Sequence, residues 1–517
     1  MTHSRASKHR LWLMVGLLWL LWFSRAHQIM ALAVFVDESL HILRAQMVFD
    51  FKDATASILP GKLLLYYYLG LYHPHNVGVA WLSREAMALL APLGATLTFA
   101  LARQLFHRWS IGLLAVILYA LSPFMLFFER MALSDTLTMI FGLSLALVSL
   151  RLARHPSRSN AVLTGGLFGF ALLAKLIALP WIILPFMAMK LWGQFNLRQL
   201  WNKAIVIGIA AAIPLLPSAF YVVYQEAAQV ENKQEVVTTT LFVPESQSRV
   251  EQISHNLDIY LEAAWTMLTP PLFLLILCLA FWQIRKRPKE TIYLLSITFS
   301  VWGFIVLTSA QPSTRYLVLG IPPLLIIGAV GLNDLWQNLR LHSTTSPQLV
   351  YRLAAPLALL IALIGGGLGF QFMLTGWSNP PQLSLADRDI WEYFENTATG
   401  YGLREAAQDL PELPPLQPAS REIQVAGFVG ACHTLRLYLP ADSHVKMICP
   451  YFKWSIEQAP ITLAEWEQRI KSDGAWYILA DDRQPMDLFG LPFTWEELAV
   501  YKRPYNGVTV RLYRVTH

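Results

Sequence analysis

Charge is what this chain has least of. Asp, Glu, Lys and Arg make up 14% of its 517 residues, where soluble domains carry about 25%. Hydrophobic residues reach 55% and the mean hydropathy is +0.42, so the deficit excludes an ordinary soluble enzyme and points to a polytopic membrane protein. Cysteine is nearly absent, at 3 residues, and no C-x-x-C pair occurs. P-loop, G-x-S-x-G and H-E-x-x-H motifs are missing too, which removes the usual nucleotide-binding, serine-hydrolase and zinc-protease readings. Inverted halves with interrupted central helices, a common transporter signature, are not apparent.

What is present is a series of apolar stretches long enough to cross a bilayer. About eleven are expected, near 11–33, 79–102, 111–128, 134–150, 160–174, 176–191, 204–224, 263–284, 291–309, 315–337 and 353–376. The first follows a basic start and mimics a signal peptide, but no small-residue cleavage site is clear and Arg25 interrupts its exit, so a retained helix is expected. The formal net charge of +6 is not spread as a nucleic-acid-binding patch. It falls in every second loop: Arg103 and Arg108; Arg151, Arg154 and Arg158; Lys190, Arg198 and Lys203; Arg285 to Lys289; Arg340 and Arg352. By the positive-inside rule the N-terminus is cytoplasmic and the C-terminus outside. The 18 Trp and 19 Tyr suit interfacial belts. Three segments then face outward: about 36–78, about 225–262 and the tail from about 376.

The first outer loop holds the most informative pair, Asp37 and Glu38, at the start of a short helix. Leu40, Leu43, Met47 and Phe51 give that helix an apolar stripe for lying in the interface. Asp37, His41 and Arg44 share a neighbouring edge. Ionised groups at a membrane boundary are costly unless they pair or work, although both acids also suit a helix start. After the Pro60-Gly61 turn, Lys62 precedes an apolar-aromatic run; it is either a phosphate ligand or a snorkelling anchor.

Further charges stand at later mouths. Glu129, Arg130 and Asp135 cluster after Pro123, either as a local Arg130–Asp135 pair or as part of a donor site. Lys175 lies between two short spans, as a buried partner of a carboxylate or phosphate or as a hairpin anchor. Arg315 and Tyr316 open the tenth span, where the arginine suits a fork aimed at phosphate and an interfacial anchor equally fits. His255 is a weak metal-ligand candidate. Cys278 lies in an apolar span, and Cys432 and Cys449 would form a disulfide if the tail is outside and their side chains meet.

The motifs VDES (36–39), LPGKLLLYYYLGL (59–71), ERMALSDTL (129–137), LLAKLIALP (172–180) and TRYLVLGIPP (314–323), in this order across the spans, resemble the GT-C class of membrane glycosyltransferases, near the bacterial relatives of protein O-mannosyltransferases and aminoarabinose transferases. The resemblance covers about 11–376. It implies a helical membrane bundle with juxtamembrane helices in the first outer loop, often with a C-terminal outer domain. It also implies that Asp37 acts as base or positions the acceptor, that Lys62 and Arg315 meet a lipid phosphate, and that Asp135 is the second-loop acid. Glu38 joins the acids of the catalytic set. Arg130 and Lys175 join the phosphate-binding set, and His41, Arg44 and Tyr316 position substrate. Gly61 departs from the pattern, since the aminoarabinose transferases place a Glu before that lysine, and a divalent metal stays an open question.

The expected activity is inverting transfer of a sugar from a polyprenyl-phosphate carrier to a lipid, glycan or protein hydroxyl on the extracytoplasmic face of the cell membrane. A lipid-linked-sugar flippase or transporter is the alternative, and a lipid-binding scaffold a third reading. Residues 1–376 form the expected transmembrane catalytic domain. Past Asn379-Pro380-Pro381 the hydrophobicity becomes patterned, and 377–517 is expected to be a small α/β domain. Its strands are read at EIQVAGFV, HVKMIC, AWYILADD and TVRLYRV, with helices near 387–409 and 463–472.

Overall fold

A computed structural model describes residues 2–49, 60–72, 78–227, 248–341, 349–416, 422–439, 443–449, 463–473, 475–482 and 490–517. Phe51 and Leu59, assigned above to the first outer loop, lie outside them. The chain forms two compact units. A bundle unit comprises Met1–Ile29, Leu59–Leu65 and Met87–Ala386, and a sheet unit comprises Met30–Ile58, Tyr66–Ala86 and Asp387–His517.

Among the described residues, six helical stretches are long and apolar enough to cross a membrane: Val79–Phe106, Ser134–Arg154, Leu197–Val223, Pro288–Thr308, Thr314–Leu339 and Leu353–Ser378. A seventh is counted if Arg249–Met267 and Pro270–Lys286, which meet at 105°, act as one, and Trp109–Leu121 and Leu176–Trp192 are shorter apolar helices. The bend has a local cause. Thr269 sits at φ 60°, a left-handed conformation that a β-branched residue adopts rarely, and Pro270 and Pro271 then start a new helix without needing amide partners. Most of Arg249–Met267 lies in the stretch expected to be an outer loop, and its last turn lies in the expected span at 263–284. Its Gln252 and Asn256 donate to the Ser309 carbonyl at the end of Pro288–Thr308, capping acceptors that no helical amide reaches.

Gly165 and Gly169 let two helices of the bundle approach closely. A methyl group on either would strike the backbone of Ile207 or Ala211 in Leu197–Ala227. This small-xxx-small spacing is how helices associate where burial from water gives no drive.

The sheet unit is built on a mixed five-stranded sheet, in the order β2-β1-β3-β5-β4. The strands are β1 (Ile423–Phe428), β2 (Val445–Ile448), β3 (Ala475–Asp481), β4 (Thr494–Tyr501) and β5 (Val510–Thr516). β1 runs parallel to β2 and β3, while β5 runs antiparallel to β3 and β4. Strand alternation explains its two cores. Ile423, Val425, Tyr477 and Leu479 pack on Leu403, Ala406, Leu410 and Leu435. Ala426, Phe428, Trp476 and Ile478 face Trp466 and Ile470 on the other side. The four strands read from the sequence are β1, β2, β3 and β5; the edge strand β4 is new.

Cys432 and Cys449 form a disulfide across a sequence separation of 17, joining Cys432–Tyr438 to the end of β2. Closing a loop of that length restricts the unfolded chain by about 3 kcal/mol. The Cys432→Ser/Cys449→Ser variant of the full chain in detergent should therefore be cut within the sheet unit at lower urea in pulse proteolysis. An unchanged urea midpoint would count against this stabilisation.

Candidate functional site

In the sheet unit, Val36–Met47 begins after Phe35, whose backbone is extended. Glu38 lies at the third helical position and accepts a hydrogen bond from the Phe35 amide at 2.9 Å, satisfying one of the donors that a helix start leaves over. Its carboxylate also receives a forked pair from Arg84, Nε to Oε2 at 2.8 Å and Nη2 to Oε1 at 2.6 Å. Both side chains are fully buried. Arg84 Nη1 donates to the Leu32 carbonyl at 2.7 Å and Nη2 to that of Ala33 at 3.1 Å.

Other groups hold the same short segment. Arg404 donates to the carbonyls of Met30 and Ala31. The Val34 amide donates to the Tyr438 hydroxyl, and the Val36 amide to the Ala398 carbonyl. Burial pushes the Tyr438 hydroxyl up to about 12, against the Val34 amide and Arg84, which pull it down. Ser39 accepts from the Thr434 hydroxyl at 3.0 Å. Residues 30–39 are thus fixed on both sides of Asp37, which itself stays half-buried. Next to it, His41 and Arg44 are buried in the same helix. The His41 ring lies 5.9 Å from that of Tyr66, whose hydroxyl feels both Arg44 and Asp37. The helix expected to lie on the interface is in fact largely buried, with Ile42 and Ala45 fully enclosed.

In the bundle unit, Asp135 is the second residue of Ser134–Arg154, where the helix dipole favours an acid. Lys175 ends Arg158–Ala174 in extended backbone. The two meet at 2.7 Å, Nζ to Oδ1, and are nearly inaccessible; Asp135 Oδ2 is enclosed without a hydrogen-bond donor. Lys175 Nζ also sits 4.2 Å above the Tyr316 ring, and the guanidinium carbon of buried Arg315 is 5.7 Å from the same ring. Tyr316 and Arg315 are presented by the 3-10 segment Thr314–Gly320. Half-buried Lys62 ends the 3-10 turn Pro60–Lys62, and Gly61 rests against the side chain of Leu176, the residue after Lys175.

Arg130 meets backbone carbonyls. Its guanidinium donates to the carbonyls of His27, Gln28 and Gly376. Its neighbour Glu129 is fully buried, accepting from Arg25 Nε at 2.9 Å and from the Tyr119 hydroxyl. Asp37, Glu38, His41 and Arg44 thus belong to the sheet unit, and Lys62, Arg130, Asp135, Lys175, Arg315 and Tyr316 to the bundle unit. Arg84 and Arg25 are ion-pair partners that sequence inspection misses; a lone charge inside an apolar stretch is the signal each carries. His255 is exposed, and no three His, Cys, Asp or Glu side chains are grouped to hold a metal among the described residues.

No sequence-family model matches the chain, and no curated protein matches it in sequence. Solved structures do match in fold. ArnT from Cupriavidus metallidurans in the apo state aligns with a TM-score of 0.64 at 14% identity, over 98% of each chain. The same ArnT bound to undecaprenyl phosphate aligns with a TM-score of 0.62 at 15% identity, over 97% of each chain. The resemblance to GT-C membrane glycosyltransferases carried by the short motifs thus extends to the fold of nearly the whole chain.

The two adjacent acids should separate in stability measurements. Glu38→Ala leaves Arg84 buried without its counter-charge and should cost about 3–5 kcal/mol, more than Asp37→Asn, which keeps the size of a half-buried side chain. Thermal unfolding of the purified variants checks this, and equal losses would contradict the division.

Proposed function

We propose that the chain is a membrane glycosyltransferase that moves a sugar from a polyprenyl-phosphate donor to an acceptor hydroxyl, with inversion, on the extracytoplasmic face. The observation that carries this reading is the buried set Asp135, Lys175 and Arg315 beside half-buried Tyr316. Two cations beside one tyrosine ring, inside an apolar bundle, are costly to bury and call for a function. A lipid phosphate supplies the matching anion, and a fold neighbour solved with undecaprenyl phosphate supports that choice. The Cys432–Cys449 disulfide supports an extracytoplasmic sheet unit.

In this reading Asp37 takes the proton from the acceptor hydroxyl. The oxygen attacks the anomeric carbon as the bond to the phosphate oxygen breaks, and the bonding pair leaves with the polyprenyl phosphate. The leaving group is a weak base, so the step runs without a general acid. Lys62, Lys175 and Arg315 hold the charge that grows on it. Asp135 fixes Lys175, and His41, Arg44 and Tyr316 orient the substrates. Glu38 and Arg130 serve by position: the first locks the turn that carries Asp37, and the second ties three carbonyls in the bundle. A divalent ion would draw on carboxylates such as Asp37 and Asp135. No such donor set is assembled among the described residues, and Lys175 already bonds Asp135, so no step is routed through a metal.

Release of polyprenyl phosphate from a panel of mannose, glucose and arabinose donors, with lipid, glycan and peptide acceptors, tests the proposal. Asp37→Asn should lose about 10²–10⁴-fold in turnover while retaining donor binding. Lys62→Ala and Arg315→Ala should each weaken donor binding by about 1.5–3 kcal/mol. EDTA should leave the rate unchanged. Full turnover by Asp37→Asn removes it as base. A wild-type chain that neither binds nor turns over any donor would return the transporter reading.

A further inference from the structure

The bundle unit has a second concentration of cations, away from the residues assigned above. Arg108, Lys286, Arg287 and Lys289 line one cavity, together with Leu105, Phe106, Pro288 and Glu290. Two candidate membrane-crossing stretches, Val79–Phe106 and Pro288–Thr308, end or begin at it, which puts it at headgroup depth. Four like charges repel one another in such a space unless anions answer them. Asp334 answers two, meeting Lys286 at 2.9 Å and Arg287 at 3.0 Å. Glu290, the only acid in the lining, stands at the third position of Pro288–Thr308, a helix start that favours it.

The remaining donors point to a ligand. Arg287 Nη1 is enclosed without an acceptor, although Nη2 of the same guanidinium is bound to Asp334. Arg108 donates to the neutral Gln337 side chain rather than to an acid. The first-turn amides of Pro288–Thr308 open at the same place, as helix starts do for bound anions. Aromatic faces support the cations, Phe106 under Arg287 at 5.4 Å and Trp282 beside Lys286 at 5.1 Å. Leu105 and Phe106 give the cavity an apolar floor.

We propose that this cavity binds a phosphate-bearing anion, held by Arg108, Arg287 and Lys289, with Lys286 at its rim. A phospholipid headgroup and a free phosphate share that chemistry. The headgroup explains the apolar floor as well, since basic pockets at helix ends are where anionic lipids are recognised.

Thermal unfolding of the full chain in a neutral detergent tests this, with added dioleoyl phosphatidylglycerol, dioleoyl phosphatidylcholine or inorganic phosphate. A ligand that binds the native state raises the Tm. Phosphatidylglycerol should raise it and phosphatidylcholine should not. The Arg108→Gln/Lys289→Gln variant, which leaves both Asp334 pairs in place, should lose most of the shift. Arg285→Gln, an exposed neighbour outside the lining, should keep it. A shift from phosphatidylglycerol alone assigns a lipid headgroup, and an equal shift from inorganic phosphate assigns a soluble anion. No shift from either, a shift that survives in the double variant, or one lost equally in Arg285→Gln overturns the proposal.

Discussion

Everything in this protein depends on how a few carboxylates find counter-charges in a chain that is mostly apolar. An ionised group shut away from water is tolerated only when paired and hydrogen-bonded. Here the partners come from far along the sequence: Arg25 for Glu129, Arg84 for Glu38, Lys175 for Asp135, Lys286 and Arg287 for Asp334, and Arg503 for Asp481. Removing one member of such a pair leaves the other stranded. Each pair therefore acts as a register pin, and the segments it joins are set to one alignment. At Asp481, burial still pushes the carboxyl above its usual range although Arg503 opposes the rise.

The clearest use of such a pin is beside Asp37. Its neighbour Glu38 bonds Arg84 and the Phe35 amide, so this fully buried acid holds the backbone beside half-buried Asp37. Two residues of the same chemistry, adjacent in sequence, differ in burial because successive positions of a helix face different sides.

The membrane class, a helix starting at Asp37 and four of the five strands could be read from the sequence, because periodicity is local and strong in those segments. Pairings were harder. Lys175 and Asp135 each stood out as charges in apolar surroundings, but a sequence separation of 40 hides the bond. Arg84 sits in a stretch that passes for a plain membrane span, and nothing near it names Glu38 as its partner. Thr494-Trp495-Glu496-Glu497 has the spacing of a helix start, yet it forms β4, where Glu497 and Arg511 make a cross-strand ion pair. Sheet pairing there overrides local preference. The number of spans was legible only approximately, since a bend such as that at Thr269 is written in backbone geometry rather than in hydropathy.

Arg130 has a consequence for how the molecule is made. Its guanidinium bonds to carbonyls of His27 and Gln28, about a hundred residues upstream, and of Gly376, 246 residues downstream. During synthesis the upstream acceptors are made first and the arginine about a hundred residues later, but the last acceptor arrives only when nearly the whole bundle has been translated. Until then a charged fork at the start of the bundle is one bond short. Closure of the bundle is thereby coupled to the insertion of its final helix, and a ribosome that stalls before residue 376 leaves an assembly whose ends have not yet been fastened.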